Sequence, residues 1–294
     1  MANPNISDIM ATTIESRTKK IADNVTNNNA VLKRLSMKGK VKPFSGGTKI
    51  LQEMSFAENS NAGWYSGYDL LPVGVSDVIT ASEYEIKQAA VPVIISGLEQ
   101  LKNSGKEQMI DLMESRISVA ESTLANLITT GLYSDGTGAS GKEITGLDAA
   151  VPVDPSSDTY GGIPSATYNF WRNQVSEQTT ANGTNPALIQ GYWNTLWASM
   201  VRGTDRPDLI MVDNTVWGAY IASLQAQQRF TNTNEADAGF MTVKFMDADV
   251  VLDGGIYNPS PGGTGAGTGY FLNTNYIFYR PHSQRNMVPL SPNR

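Results

Sequence analysis

Residues 49–88 read KILQEMSFAENSNAGWYSGYDLLPVGVSDVITASEYEIKQ, and the way this stretch is accommodated decides the fold. From Lys49 to Phe56 the pattern has period two. Ile50, Gln52, Met54 and Phe56 fall on one side, and Leu51, Glu53 and Ser55 on the other, which predicts a strand. Alternation resumes over residues 78–95, with Tyr84, Ile86 and Gln88 on one side. Between the two, a loop around residues 59–67 carries Trp64, Tyr65 and Tyr68. The whole is a long two-stranded excursion. An isolated hairpin is marginal in water, so this one needs another surface to lie on.

Working outward, Phe44-Ser45-Gly46-Gly47 marks a turn before the first strand. Upstream, residues 1–40 read as an arm. Its apolar residues, Ile9, Ile14, Ile21, Val25 and Leu32, are thinly spread, and Asn27-Asn28-Asn29 interrupts them. Such a segment buries too little to fold alone and orders against a partner. The net charge of −6 conceals an asymmetry: residues 1–50 hold nine Lys/Arg against three Asp/Glu, and residues 51–294 hold thirteen against twenty-five. A basic arm on an acidic body fits contact with a neighbouring copy, contact with DNA, or a solvated tail.

Downstream, residues 104–131 carry the clearest helical pattern. Ser104 and Glu107 form a capping box, and Gly131 is placed to end the helix. Ile110, Met113, Ile117, Ala120, Leu124 and Leu127 recur at spacings of three and four. The length predicted is roughly 40 Å. Residues 145–148 read as the start of a strand, 186–201 and 214–229 as amphipathic helices, and 208–212 as a short buried strand. Residues 242–245, 249–252, 269–272 and 276–280 read as further strands.

Composition narrows the function classes. Of 294 residues, 40% are hydrophobic, enough for a sizeable core. Only 17% are charged, against ~25% for ordinary soluble domains. A weakly charged surface suits wide protein contact, and also an ordinary loop-rich β protein. There is no cysteine, so disulfides, thiolate catalysis and cysteine zinc sites are excluded. His282 is the one histidine, which rules out a zinc site with two histidines. Beside Pro281 it reads as structural. Three glycine clusters, at residues 45–49, 161–162 and 263–269, lack the spacing or the following helix of a phosphate loop and read as turns. Asp247, Asp249 and Asp253 miss the fuller pattern of a calcium loop. The N-terminus lacks the basic start and apolar stretch of a secretory signal, and no run approaches the ~20 apolar residues of a membrane span. Folding in the cytoplasm is the expectation.

Five stretches stand out in order along the chain: Tyr160-Gly161-Gly162-Ile163 leading to Phe170-Trp171-Arg172-Asn173, Asp205-Arg206-Pro207-Asp208-Leu209-Ile210, YIASLQAQQRF at residues 220–230, Tyr270-Phe271-Leu272-Asn273-Thr274, and Arg280-Pro281-His282 with Gln284-Arg285-Asn286. Together they resemble the major capsid proteins of tailed bacteriophages. The resemblance implies an α+β, Hong Kong 97-like capsid fold. Residues 1–40 would be the N-terminal arm, 41–95 the extended β loop, 96–150 a peripheral domain with a long spine helix, 151–240 an axial domain, and 241–294 strands returning to the peripheral domain. It implies a structural subunit, not an enzyme, that self-assembles into hexamers and pentamers of an icosahedral shell around double-stranded DNA. The implied location is the virion, assembled in the host cytoplasm, with scaffolding and portal proteins as partners. No cofactor, metal or catalytic residue is expected, and no membrane. Met1 favours a separate scaffolding protein over a cleaved leader. Lys49 lies where some relatives form an isopeptide cross-link, but no Asn partner can be matched, so no cross-link is expected. The inter-subunit contacts expected are Lys33, Arg34, Phe44, Lys49, Phe56, Trp64, Tyr65 and Tyr68. An encapsulin-like compartment shell on the same fold is the alternative, ahead of a metal-assisted hydrolase.

Overall fold

The computed structural model describes residues 29–94, 106–224, 242–253, 256 and 267–288. In chain order these form α1 (Ala30–Met37), β1 (Lys49–Ser55), β2 (Ile79–Glu85), α2 (Lys106–Leu132), β3 (Thr159–Tyr160), β4 (Ile163–Pro164), α3 (Ile189–Met200), β5 (Leu209–Val212), α4 (Asn214–Leu224), β6 (Thr242–Phe245), β7 (Ala248–Leu252) and β8 (Gly269–Leu272). Helices and antiparallel-rich sheets are mixed, an α+β arrangement.

The core forms around β5. Its sheet has the order β6-β7-β5-β8, with β5 parallel to β7 and antiparallel to β8. All four residues of β5, LIMV, are buried because both faces are covered. Ile210 and Val212 pack with Ile189, Trp193 and Trp197 of α3 and with Val216, Ala219 and Tyr220 of α4. Leu209 and Met211 point the other way, onto Val31 and Leu35 of α1 and onto Tyr133 and Tyr270. A strand buried on both faces reads as a continuous apolar run, which is how the sequence presents it. Trp193 is the hub of the first face. It stacks on Tyr220 at 4.5 Å and meets Phe245 and Phe271 edge-on at 5.2 and 5.3 Å.

Helix α1 corrects the reading of residues 1–40 as an arm over its described part, residues 29–40. Asn29 caps it, its side chain accepting from the amides of Val31 and Leu32 at 3.0 and 3.1 Å. Ala30, Val31, Leu32 and Leu35 are all buried. The sheet they cover lies some 170 residues or more downstream, so the local sequence shows a sparse apolar pattern where the fold has a core helix. Residues 1–28 lie outside the described residues.

Other boundaries also move. Of the four strands expected within 241–294, three form, β6, β7 and β8, and they share one sheet with β5, from segment 151–240. Residues 276–280 make no strand. Tyr279 and His282 form single parallel bridges to Val41 and Phe44, and Pro281 between them has no N–H to donate. Residues 145–148 enter a helical turn, Leu147–Ala150, rather than a strand. Strand β2 stops at Glu85, short of residue 95. Helix α2 runs through Gly131 to Leu132. The capping residue Ser104 lies outside the described residues, as do residues 225–229 of the helix expected over 214–229. On α2 the buried stripe holds Ile117, Ala125 and Ile128, whereas Leu127 is 47% exposed. Ile128 follows Ile117 by eleven residues, close to three full turns, and Leu127 falls about 80° from Ile117 and about 100° from Ile128, on the side away from Ala125.

Candidate self-association surface

Strands β1 and β2 pair antiparallel from Lys49 opposite Glu85 to Ser55 opposite Ile79. The period-two reading holds: Ile50, Gln52 and Met54 are half-buried, while Leu51, Glu53 and Ser55 are exposed. What covers the inner face is the β3–β4 hairpin. Gly161 and Gly162 both sit at positive φ, +60° and +76°, as a two-residue hairpin loop with the twist of its strands requires. The carbonyl of Gly161 accepts from the Glu83 amide at 2.9 Å. A Cβ on Gly161 would stand 2.9 Å from the Cβ of Ser82, so no larger residue fits this approach. Ser82 is fully buried, and its hydroxyl donates to the Gln52 carbonyl at 3.3 Å.

Aromatic rings complete the root. Tyr160 meets Tyr84 at 5.4 Å and stacks on Trp171 at 6.2 Å. The Trp171 indole donates to the Tyr160 carbonyl at 2.9 Å. Phe56 stacks on Phe170 at 5.0 Å. Burial, with neighbouring Tyr84, pushes the Tyr160 hydroxyl well above its ordinary pKa, so it stays a neutral phenol. Arg280 donates to Gln52 Oε1 at 2.9 Å from the other side.

Beyond Phe56 the excursion changes character. Residues 57–78 form no strand. Turns stitch them together: the Asn61 side chain donates to the Gly74 carbonyl at 2.7 Å, and Asp69 accepts from the Ser66 amide at 2.8 Å. Trp64, Tyr68, Leu70, Val73 and Val75 are between 97% and 105% exposed, and Tyr65, Leu71 and Ile79 are exposed too. Monomeric soluble proteins rarely display apolar groups this densely, and such patches mark interaction sites.

The expected contact residues separate into two groups. Trp64, Tyr65 and Tyr68 stand exposed at the tip. The others have partners within their own chain. Phe44 meets His282 edge-on at 5.1 Å, Phe56 is stacked as described, and Lys49 is 2.6 Å from Glu83. Arg34 lies 3.0 Å from Asp249 and 3.6 Å from Asp208, and Lys33 is half-buried on the same helix. Leu70, Leu71, Val73 and Val75, which are not among the expected contacts, share the exposed tip. Their signal is the run LLPVGV, apolar but without strand or helix period.

The Arg34 cluster locks α1 to the sheet. Asp208 also pairs with Lys38 at 2.6 Å and accepts from the amide and hydroxyl of Thr274 at 2.6 and 2.7 Å. Burial alone would raise its carboxyl pKa; hydrogen bonds from Lys38 and Thr274, with the Lys38 charge, outweigh it and hold the group below the ordinary carboxylate range. The acidic residues tested for metal chemistry have structural roles here. Asp249 faces Arg34 and Lys244, Asp247 faces Arg206, and Asp253 accepts from Tyr133 at 2.5 Å. Among the described residues no three His, Asp or Glu side chains gather as a metal site, and no helix is long and apolar enough to cross a membrane.

No family model and no curated protein matches the chain. Among solved structures three chains match. One belongs to the cyanophage A-1(L) capsid asymmetric unit, at 18% identity and a TM-score of 0.48, over 76% of this chain and 68% of that one.

Proposed function

We propose that the chain is a structural subunit of a tailed-phage head, joining copies of itself into hexamers and pentamers of an icosahedral shell around double-stranded DNA, with scaffolding and portal proteins as assembly partners. The observation that carries this reading is the excursion: a braced two-stranded root presenting a tip on which Trp64, Tyr68, Leu70, Val73 and Val75 are almost fully exposed. Burying that tip on a neighbour yields about 25 cal/mol per Å² of apolar surface. A tip received by a different patch of its neighbour makes a head-to-tail contact, the kind that closes into rings. The capsid-like motifs of the sequence point the same way.

The test replaces residues 58–76 by a short Asn-Gly turn, leaving β1, β2 and the root in place. The full chain is expected to form rings or particles by light scattering and negative-stain microscopy. The shortened chain is expected to remain monomeric with the same circular dichroism and melting midpoint. Particles from the shortened chain, or a full chain that stays monomeric at every concentration, would refute the proposal. Nuclease-resistant DNA inside particles from infected cells separates a phage head from a cargo compartment.

A further inference from the structure

Charge is segregated along the chain, and folding of one subunit uses part of it, where Arg34, Lys38 and Lys49 meet Asp249, Asp208 and Glu83. Between residues 50 and 86 there is no Lys or Arg, while the tip alone carries Glu58, Asp69 and Asp77. Conversely, residues 24–52 and 254–294 contain no Asp or Glu. The structure lays parts of these two acid-free segments side by side. The Lys42 amide donates to the Tyr279 carbonyl at 2.9 Å, the Phe44 amide to Pro281 at 3.0 Å, and the Ser283 amide to Phe44 at 2.9 Å. The result is a ribbon of residues 40–44 against 278–285. On it the ammonium groups of Lys40 and Lys42 sit 5.2 and 4.5 Å from the ring centroid of Phe278. Lys42 and Arg285 are exposed, and Phe278 is half-buried.

Ribbon and tip are therefore complementary: one offers an aromatic ring flanked by cations with no acid, the other apolar side chains flanked by acids with no cation. They do not meet within one subunit, since Trp64, Tyr68 and Val73 are essentially fully exposed. Opposite charges at the rim of an apolar contact set register and partner choice. We infer that the ribbon of a second copy is the surface on which the tip docks, with Lys42 and Arg285 facing Glu58 and Asp77. This rests on the reading of the chain as a self-assembling subunit and names its receiving surface.

The experiment uses two full-length variants, a tip reversal (Glu58→Lys with Asp77→Lys) and a ribbon reversal (Lys42→Glu with Arg285→Glu). All four positions are chosen at the rim, and circular dichroism checks that each variant is folded. Each alone is expected to raise the threshold concentration for assembly by about tenfold or more. Combining both reversals in one chain is expected to restore assembly, because every tip then meets a ribbon of opposite sign in hexamers and pentamers alike. Assembly unaffected by either reversal overturns the inference, including the case in which the ribbon reversal weakens only DNA binding. So does a folded chain carrying both reversals that fails to recover. In these cases wild-type assembly still stands, whereas a wild type that never assembles defeats the underlying reading instead.

Discussion

The residues of β5, Leu209, Ile210, Met211 and Val212, are 1%, 0%, 0% and 0% exposed; Leu70, Val73 and Val75 of the tip are 98%, 97% and 98% exposed. The side chains are of the same kind. What differs is where the chain brings partners. Strand β5 has helices on both faces from segments far apart in sequence, and each fully buried side chain contributes about 1.5–3 kcal/mol to folding. The tip has only its own turns, so its apolar surface contributes nothing to the isolated subunit and is available for association. Hydrophobicity alone does not distinguish a core from an interface; the partners supplied by topology do.

The contrast can be tested directly. Ile210→Ala is expected to destabilise the monomer by about 3 kcal/mol, since it removes buried atoms and leaves a cavity in a covered strand. Val73→Ala should leave the urea midpoint unchanged and act on assembly alone. A large stability loss at Val73 would show that the tip packs within its own subunit and break the comparison.

A second effect, of about 2 kcal/mol, is expected for Asp208→Asn, which removes the carboxylate facing Lys38 and one of those facing Arg34 and loosens α1 from the sheet. Its pH dependence gives the sign. The folded-state pKa of Asp208 lies below the unfolded value of about 3.9, so its contribution is complete above that value and is lost as pH falls through the lower, folded one. Denaturation midpoints between about pH 2 and 6 should therefore converge for wild type and variant at the acid end. The smallest effect concerns the root. Gly161→Ala forces a side chain into positive φ and against Ser82, with an expected cost of about 1–2 kcal/mol. Limited proteolysis should then show earlier cleavage within residues 57–78, because the brace beneath them is loosened.

How much was legible in the sequence follows the range of the interactions. The face pattern of β1, the helices α2 and α3 and the buried run of β5 rest on local periodicity and were readable. Helix α1 was not, because Val31 and Leu35 acquire their partners from Leu209, Val251 and Tyr270. The grouping of β6, β7 and β8 with β5 was likewise beyond local pattern. Within the candidate surface, Trp64, Tyr65 and Tyr68 were visible as large residues in a loop. The partners of Arg34, Phe44 and Phe56 were not, since each lies more than a hundred residues away. Leu70 and Val73 carry no such signal, because an apolar run without a period does not show which way it faces.

The hairpin of Gly161 and Gly162 beneath β2 has a mechanical consequence. From Glu83, where the Gly161 carbonyl grips β2, the four residues to Ile79 span about 14 Å, so a tilt of about 5° there becomes roughly 1 Å of displacement at the end of the strand. Close-packed side chains do not interlock across an error of that size. The small residues and rings at the fulcrum thus govern how accurately the lever is aimed, although none of them touches what it reaches.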